Sequence, residues 1–519
     1  MLKKLVNLFQ RHKKLAWFVI LANALIALTK TVVDPIVLKL MVDDALTNKN
    51  MDLFLILVIL SVFLSVGLRT GLYFIAIYKQ KLINKMTSDK TGEMLGVYFQ
   101  LPYQKVNEKG EGYYISRVYD EPAKVSQQVV GLSVSVFEAM LSLVGALAIC
   151  IYLSWEVTFA LLIIVPVLFA LSRKYGSKIV RLSELEGETQ ASFREDMIRC
   201  LETYKLSRIF SLQQRVSQSA LRVLGTHLDS NYERNKTSQA YQTLSNIFLS
   251  LAESAVLVIA ALAVFFGSMT VGGLLAYMSG FWKMMNSIVG LVEQFPKLAH
   301  LSAFVDRINS LKDDAEKPLT SVANNVVLQH AAIGYGAEHI LKDVSFQVDK
   351  GERCLIQGGN GSGKSTLLHA ISGFIPLNAE SHIPDQSRVS ALLAPLTFFK
   401  GSLREHLKFD ELEPSAQMQL ECILKDFDLL DKLDDDPQHF SEGQKRKAQV
   451  ALSLAKEADV YIFDEPLAAV DTNSKDIIMG WINRCTQNKT VFMVLHGDEK
   501  YHRDFNRHLA LSGGQASLS

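Results

Sequence analysis

Cysteine is scarce in these 519 residues and follows no pairing pattern: Cys150, Cys200, Cys354, Cys422 and Cys485 are scattered and form no C-x-x-C pair. They read as unpaired, mostly buried thiols. Net charge is nearly absent as well, at +1, so no global basic field points to nucleic acid as a partner. A cleavable signal peptide is missing too. The first residues are polar and basic, and the apolar run after them is long enough to span a membrane and lacks a small-residue cleavage site. What the chain has in excess is apolar residues, 49% of the total. That is high for a soluble enzyme, and the chain is too long for one ordinary domain, so the excess has to be localised.

It is localised in the first half. Lys3, Lys4, Arg11, Lys13 and Lys14 precede an apolar run over 15–40, and by the positive-inside tendency they keep the N-terminus in the cytoplasm. A second run, 53–77, follows an acidic loop (Asp43, Asp44, Asp52) and precedes Lys79, Lys81, Lys85 and Lys90. Further runs occupy 129–153, 157–171, 244–266 and 271–292. Each approaches the roughly twenty residues needed to cross about 30 Å of hydrocarbon. Six crossings would return both ends to the cytoplasm. Outer connections are very short, whereas the inner segments 79–128 and 172–243 are long, charged and helix-favouring. Such helices have to project into the cytoplasm.

Several ionisable residues fall inside the apolar runs: Lys30, Asp34, Arg69, Glu138, Glu253 and Lys283. A charge in hydrocarbon costs at least about 2.5–3.5 kcal/mol, so each needs a partner or water. Lys30 and Asp34 are four apart and can pair along one helix. Arg69, Glu138 and Glu253 either line an inward-facing cavity or form interhelical salt bridges.

The second half changes character. Residues 358–366 read GGNGSGKST, a full match to G-x-x-x-x-G-K-[ST], with a β-rich run over 353–357 before it and a helix-forming run over 367–371 after it. Gly358, Gly359, Gly361 and Gly363, with Asn360 and Ser362 between them, let successive N–H groups face a polyphosphate, and the next helix adds its dipole. Lys364 would reach the β- and γ-phosphates of ATP, Ser365 would hold Mg²⁺, and Thr366 completes the motif. A second motif, residues 460–465 (VYIFDE), reads as a buried strand ending in two carboxylates. Asp464 can hold Mg²⁺ through water while Glu465 polarises the attacking water as general base. Tyr335 lies in a glycine-flanked turn upstream, placed to stack on adenine.

Between these motifs, residues 440–444 read FSEGQ and open a helix. With the inner loops described above, this arrangement resembles ABC exporters: a six-helix membrane domain whose two intracellular loops carry coupling helices, here near 102–110 and within 198–212, followed by an ATPase. The resemblance implies that Ser441, Gly443 and Gln444 form the signature that closes on the γ-phosphate of a second subunit. It also implies that Tyr335 is the adenine-stacking tyrosine, Asp471 the aspartate of the interface loop, and His496, ending a strand over 490–496, the switch histidine. The chain departs from the family at Phe440 and Glu442, where leucine and glycine are usual, and at Ala468, where serine is usual. Ala394 stands where a glutamine is expected, and the short region 373–394 suggests a missing strand pair. A carboxylate 5 Å from a phosphate charge would cost about 3 kcal/mol at an effective dielectric of 20, so Glu442 should point away or weaken the site. Residues 511–515 spell LSGGQ in full, but too little chain follows for a helix, and they read as a hairpin turn.

The expected architecture is an all-α transmembrane domain over 1–311, a linker over 312–325 and an α/β P-loop ATPase domain over 326–519. The resemblance implies an ATP- and Mg²⁺-dependent exporter in a bacterial plasma membrane, in contact with membrane lipid. It would work with a second half-transporter, a homodimer being favoured and a heterodimer open. The cavity charges of both signs favour a peptide or other amphipathic solute, with lipid or drug export, or a weakened regulatory partner subunit, as alternatives.

Overall fold

The computed structural model describes residues 10–109, 111–161, 164–292, 294–313, 325–335, 338–378, 380–395 and 397–519. Lys3, Lys4 and most of the expected linker lie outside the described residues. Two compact units emerge: Met1–Phe99 with Gly110–Ala315, and Gln100–Lys109 with Glu316–Ser519. The helices that matter below, in chain order, are α1 (Lys13–Leu40), α2 (Met51–Tyr98), α3 (Tyr103–Lys109), α4 (Glu121–Leu153), α5 (Trp155–Leu161), α6 (Ile164–Glu202), α7 (Tyr204–Ile209), α8 (Gln213–Phe265), α9 (Val271–Val292) and α10 (Gln294–Asp313).

In the first unit, four described stretches are long and apolar enough to cross a membrane: Lys13–Leu46, Met51–Tyr98, Tyr113–Leu153 and Gln213–Phe265. The fourth apolar run includes undescribed residues, and the sixth is the 22-residue helix α9. Helix α2 begins where the Asn50 side chain accepts from the Leu53 N–H, satisfying a donor that the helix start leaves open. Its 48 residues extend about 72 Å, more than twice the hydrocarbon thickness. Only 6% of its most apolar stretch is covered by protein, and Ile59, Phe63 and Val66 face outward. Such a surface is stable against lipid and not against water.

Helices α1, α4 and α9 pack closely around small residues. At Gly145 an added Cβ would lie 2.6 Å from Leu28 Cδ1, so a larger residue there would require the Leu28 side chain to move. Tyr277, Phe281, Met284 and Met285 of α9 are fully buried against Ala146, Cys150 and Val256. Tyr277 Oη and Thr158 Oγ1 satisfy each other at 3.0 Å. Helices α6 and α8 run antiparallel, with Glu186 held by Arg234 and Asn231, both at 2.5 Å.

The intramembrane charges pair differently from the sequence expectation. Asp34 bonds Lys283 of α9 at 2.7 Å, and Lys283 also donates to the Lys30 carbonyl at 2.6 Å. The expected Lys30–Asp34 pair gives way because α9 brings an ammonium to that level. Glu138 accepts from the Asn23 amide and Glu253 from the Trp282 indole, at 2.8 and 2.9 Å. Neither forms a salt bridge among the described residues. All five cysteines are free, but only Cys150 and Cys354 are buried.

The second unit is built on an eight-stranded sheet in the order β1-β2-β8-β7-β3-β6-β5-β4. These strands are β1 (Val326–Tyr335), β2 (Glu338–Val348), β3 (Arg353–Gly358), β4 (Val389–Leu392), β5 (Val460–Asp464), β6 (Thr490–Val494), β7 (Arg507–Ser512) and β8 (Gln515–Leu518). Strands β3 to β7 run parallel to one another, β7 pairs antiparallel with β8 on its other side, and every residue of β5 and β6 is buried. Both are apolar except for Asp464 at the end of β5 and Thr490 at the start of β6, as expected of strands covered on both faces. Helices α11 (Lys364–Ile371), α12 (Pro414–Asp426), α13 (Glu442–Ala455) and α14 (Thr472–Cys485) flank the sheet. Between α11 and β4 the described residues contribute only one bridge, Val327 to His382, to the sheet.

Residues 511–515 form the β7–β8 hairpin, with Ser512 opposite Gln515 and both glycines at positive φ. That is the backbone a two-residue hairpin turn requires.

Candidate functional site

The site grows from the C-terminal ends of three adjacent strands. Val494, the last residue of β6, pairs with Ile356 of β3 on one side and with Asp464 of β5 on the other. The phosphate loop leaves β3, two carboxylates leave β5, and His496 follows β6 between them. Open α/β sheets bind their ligands at this edge.

The loop itself is sterically determined. A Cβ at Gly358 would lie 2.5 Å from Ser362 Oγ and 2.7 Å from the Leu511 carbonyl. Gly363 caps α11 with φ of 94°, a conformation natural to glycine. Lys364 Nζ donates to the carbonyls of Gly358 and Gly359, each at 2.9 Å, which holds the ammonium against the loop. Gly359, Asn360, Gly361 and Ser365 are exposed, while Thr366 is buried and anchors the helix.

Ser365 Oγ donates to Asp464 Oδ2 at 3.0 Å. A hydroxyl and a carboxylate oxygen thus converge beside the loop, a donor set that suits a hard divalent cation sharing its remaining positions with water and phosphate. Burial pushes the Asp464 carboxyl above the usual range, with the Ser365 hydrogen bond opposing. Glu465 follows at φ of 52°, a strained backbone for a non-glycine residue and one that recurs at functional sites. Its N–H is held by the Val494 carbonyl at 3.1 Å. Its carboxylate is half exposed and has no hydrogen-bond partner among the described residues.

His496 is exposed and lies two residues beyond the strand. The expected strand over 490–496 stops at Val494, where β5 ends opposite it at Asp464 and where β3, which continues to Gly358 beside β7, ceases to pair with β6.

Ser441 caps α13: its hydroxyl accepts from the Gln444 N–H at 3.3 Å, and the Gln444 side chain accepts from the Ser441 N–H at 3.0 Å. Reciprocal capping fixes the start of the helix whose dipole would face an anion. A Cβ at Gly443 would lie 3.1 Å from the Ala469 carbonyl, so this position packs directly on the loop before Asp471. Glu442 is turned to solvent and held by Lys445 at 3.1 Å. Asp471 caps α14, accepting from the N–H and the hydroxyl of Ser474 at 3.0 and 2.6 Å. These bonds hold its carboxyl below the usual range. Among the described residues no hydrogen bond joins Ser441, Gly443 or Gln444 to the phosphate loop of the same chain.

Tyr335 ends β1, and Gly336 lies outside the described residues. Tyr335 Oη and His369 Nδ1 share a hydrogen bond of 2.7 Å. His369 was not singled out by sequence reasoning. The available signal was its spacing, since it stands four residues after Ser365 and so on the same face of α11.

Comparison with known proteins agrees with this geometry. Residues 341–468 match the family model of the ABC transporter, and residues 17–288, just over half the chain, match that of the ABC transporter transmembrane region. The ATP-dependent lipid A-core flippase of Xanthomonas oryzae pv. oryzae (strain MAFF 311018) is 23% identical over 451 residues, covering 80% of this chain and 76% of that protein. That of Xylella fastidiosa (strain 9a5c) is 22% identical over 438 residues, covering 78% and 74%. Among solved structures, a bacterial Atm1-family ABC exporter with ATP bound matches with a TM-score of 0.80 at 15% identity, covering 98% of this chain and 94% of that one. The chain is an integral membrane protein that belongs to the ABC transporter family, an exporter-type half-transporter whose helical membrane domain is followed by an ATP-hydrolysing domain.

Proposed function

We propose that two such chains form an exporter that moves a lipid from the cytoplasmic leaflet, with both termini in the cytoplasm. The carrying observation is that the relatives matched over about four fifths of the chain are lipid A-core flippases. The charges support a lipid over the expected peptide. Glu138 and Glu253 are already held by Asn23 and Trp282, so they offer a peptide less than their number suggested. Arg69 stands exposed on α2 with no partner among the described residues. A cation at membrane depth calls for an anion or water, and an anionic headgroup would supply the former.

In this reading the N–H groups of 358–363 and Lys364 bind the triphosphate, and Tyr335 stacks on adenine. Ser365 and Asp464 are the residues that would hold Mg²⁺, which neutralises phosphate charge when bound. Glu465 accepts a proton from the attacking water, and His496 contacts the γ-phosphate. Ser441, Gly443 and Gln444 of each chain close the site of the other, while Asp471 fixes the adjoining loop. Closure of the two ATPase domains would turn the membrane cavity outward.

The test is transbilayer movement of a fluorescent anionic lipid in proteoliposomes, with Mg²⁺-ATP, for the natural chain beside Glu465→Gln. ATP-driven movement that the variant lacks supports the proposal. ATP hydrolysis with no movement of any lipid tried would remove the lipid reading and return the search to peptides.

A further inference from the structure

Two stripes of exposed side chains meet on neighbouring helices of the membrane unit. On α2, Phe74, Tyr78, Lys81 and Lys85 are exposed and recur at the four- and three-residue spacing that keeps to one face of a helix. On α1, Lys14, Phe18 and Leu21 repeat the pattern. The stripes join where the Phe18 and Tyr78 rings pack edge-on, with centroids 5.6 Å apart. A second contact, His12 with Asp89, shows that the helices run in opposite directions. Lys14 therefore lies beyond Phe18 on the side where Lys81 and Lys85 lie beyond Tyr78.

Depth gives the stripe its meaning. The apolar part of α2 opens at Leu53, after Asp52. Phe74 stands about 32 Å along the helix from Leu53, close to the thickness of the hydrocarbon. Tyr78, Lys81 and Lys85 follow about 6, 10 and 16 Å further on. Aromatic rings at that boundary with cations just past it suit a membrane–water interface. Side chains of a helix lean toward its N-terminus, which for α2 turns Lys81 and Lys85 back toward the bilayer.

Lys14, Lys81 and Lys85 are exposed and form no salt bridge among the described residues. Asp89, four residues after Lys85, shares a hydrogen bond with His12 at 3.1 Å instead and lies 3.6 Å from Arg11. Three cations thus stand at one end of an apolar stripe without a carboxylate to match them.

We propose that the α1–α2 stripe is a binding site for an anionic phospholipid of the cytoplasmic leaflet. Lys14, Lys81 and Lys85 hold its phosphate, and its acyl chains lie along Phe18, Leu21 and Phe74. A zwitterionic headgroup brings its own ammonium to the three lysines and gains less. The site is separate from Arg69, which stands five residues before Phe74 and so on the far side of α2. The choice of leaflet rests on the proposed orientation, with the start of α1 in the cytoplasm; the binding does not.

The experiment is native mass spectrometry of the full chain, stripped of lipid in detergent and titrated with phosphatidylglycerol or with phosphatidylcholine of the same acyl chains. Phosphatidylglycerol should bind at least about tenfold more tightly, and Lys14→Gln, Lys81→Gln and Lys85→Gln should each weaken it about fivefold, the share of one cation near an anionic lipid surface. Phosphatidylcholine affinity should be unchanged in all three. Lys81→Arg should keep the preference, as should Lys178→Gln, which removes an exposed lysine of α6. Binding should need no ATP and should persist in Glu465→Gln. Equal affinity for the two lipids would overturn the proposal, and so would losses no larger than that of Lys178→Gln. Acetylation mapping of the same lipid-free sample tests the other occupant: if the three lysines were already protected there, a second copy of the chain would cover the stripe, and the lipid site would fall. Labelling of Lys14 in intact cells by an amine reagent that cannot cross the membrane would refute the orientation instead, a separate result.

Discussion

Glu442 is the residue at which the signature departs most from the family, and its surroundings explain why it need not abolish activity. Its carboxylate would repel a phosphate facing the N-terminus of α13, but it is exposed and held by Lys445 three residues on. Lys445→Ala frees that charge. We expect ATPase activity to fall several-fold at low salt and the deficit to shrink at high salt, since exposed charges are screened within about 10 Å at 0.1 M. The double variant Glu442→Gly/Lys445→Ala should regain the activity, and a double variant as poor as the single one would refute the compensating pair. Glu442 was legible in the sequence as an anomaly, because the motif around it is local. Lys445 was not, because the relevant fact is a side-chain direction. Lys283 shows the same limit over longer range: the sequence marks it as a charge in an apolar run, but its partner comes from a helix remote in the chain. Asp34 lies 249 residues from the lysine that it holds.

Elements with a local cause could be read directly. Strands β5 and β6 are apolar but for one end residue each, β3 has an apolar centre over 354–356, and α11 and α13 begin at a glycine loop and at a capping box. The end of β6 was overshot because a strand stops where its neighbours stop pairing, which its own residues do not encode. The start of α14 is a capped terminus whose stability can be measured. Asp471→Ala should lower domain stability through loss of the cap, seen as a shift in the urea midpoint without a change in slope. Because the Ser474 bonds lower the folded-state pKa of Asp471, this contribution is present above the unfolded carboxylate pKa. It is lost as pH falls through the folded value. Ser474→Ala should therefore move the Asp471 titration upward, followed by NMR of the carboxyl carbon. An unmoved titration would show that the two bonds do not set it.

In the membrane unit the comparable element pair is α1 with α9. Lys283→Met leaves Asp34 without its ammonium at membrane depth. Thermal unfolding in detergent should drop by several degrees, and Asp34→Asn/Lys283→Met should recover much of it, since at membrane depth a charge left without its partner costs more than removing both charges. A double variant as unstable as the single one would mean that the helices are held by packing alone.

At the scale of the whole molecule, two apparent weaknesses have one explanation. Among the described residues, the signature residues of α13 have no hydrogen bond to the phosphate loop of their own chain, and the half-exposed Glu465 and exposed His496 side chains have no hydrogen-bond partner. Under the proposed function a single chain holds the halves of two sites, and a second copy would join them. The fold class and the order of the domains were legible from hydropathy and motif order. The allocation of α3 to the ATPase unit was not, since it depends on which surface seven residues find after folding.

The account's central claim is that this chain alone makes a working pump. Mg²⁺-ATP hydrolysis by the chain reconstituted in nanodiscs, beside Glu465→Gln and with the mass of the assembly determined in the same sample, tests it most directly. The account predicts steady turnover from a particle of two chains, lowered at least about a hundredfold in the variant, as loss of a general base requires. A well-folded sample that binds ATP and forms the two-chain particle but does not hydrolyse would contradict it, and would make this chain one half of a pump completed by a different subunit.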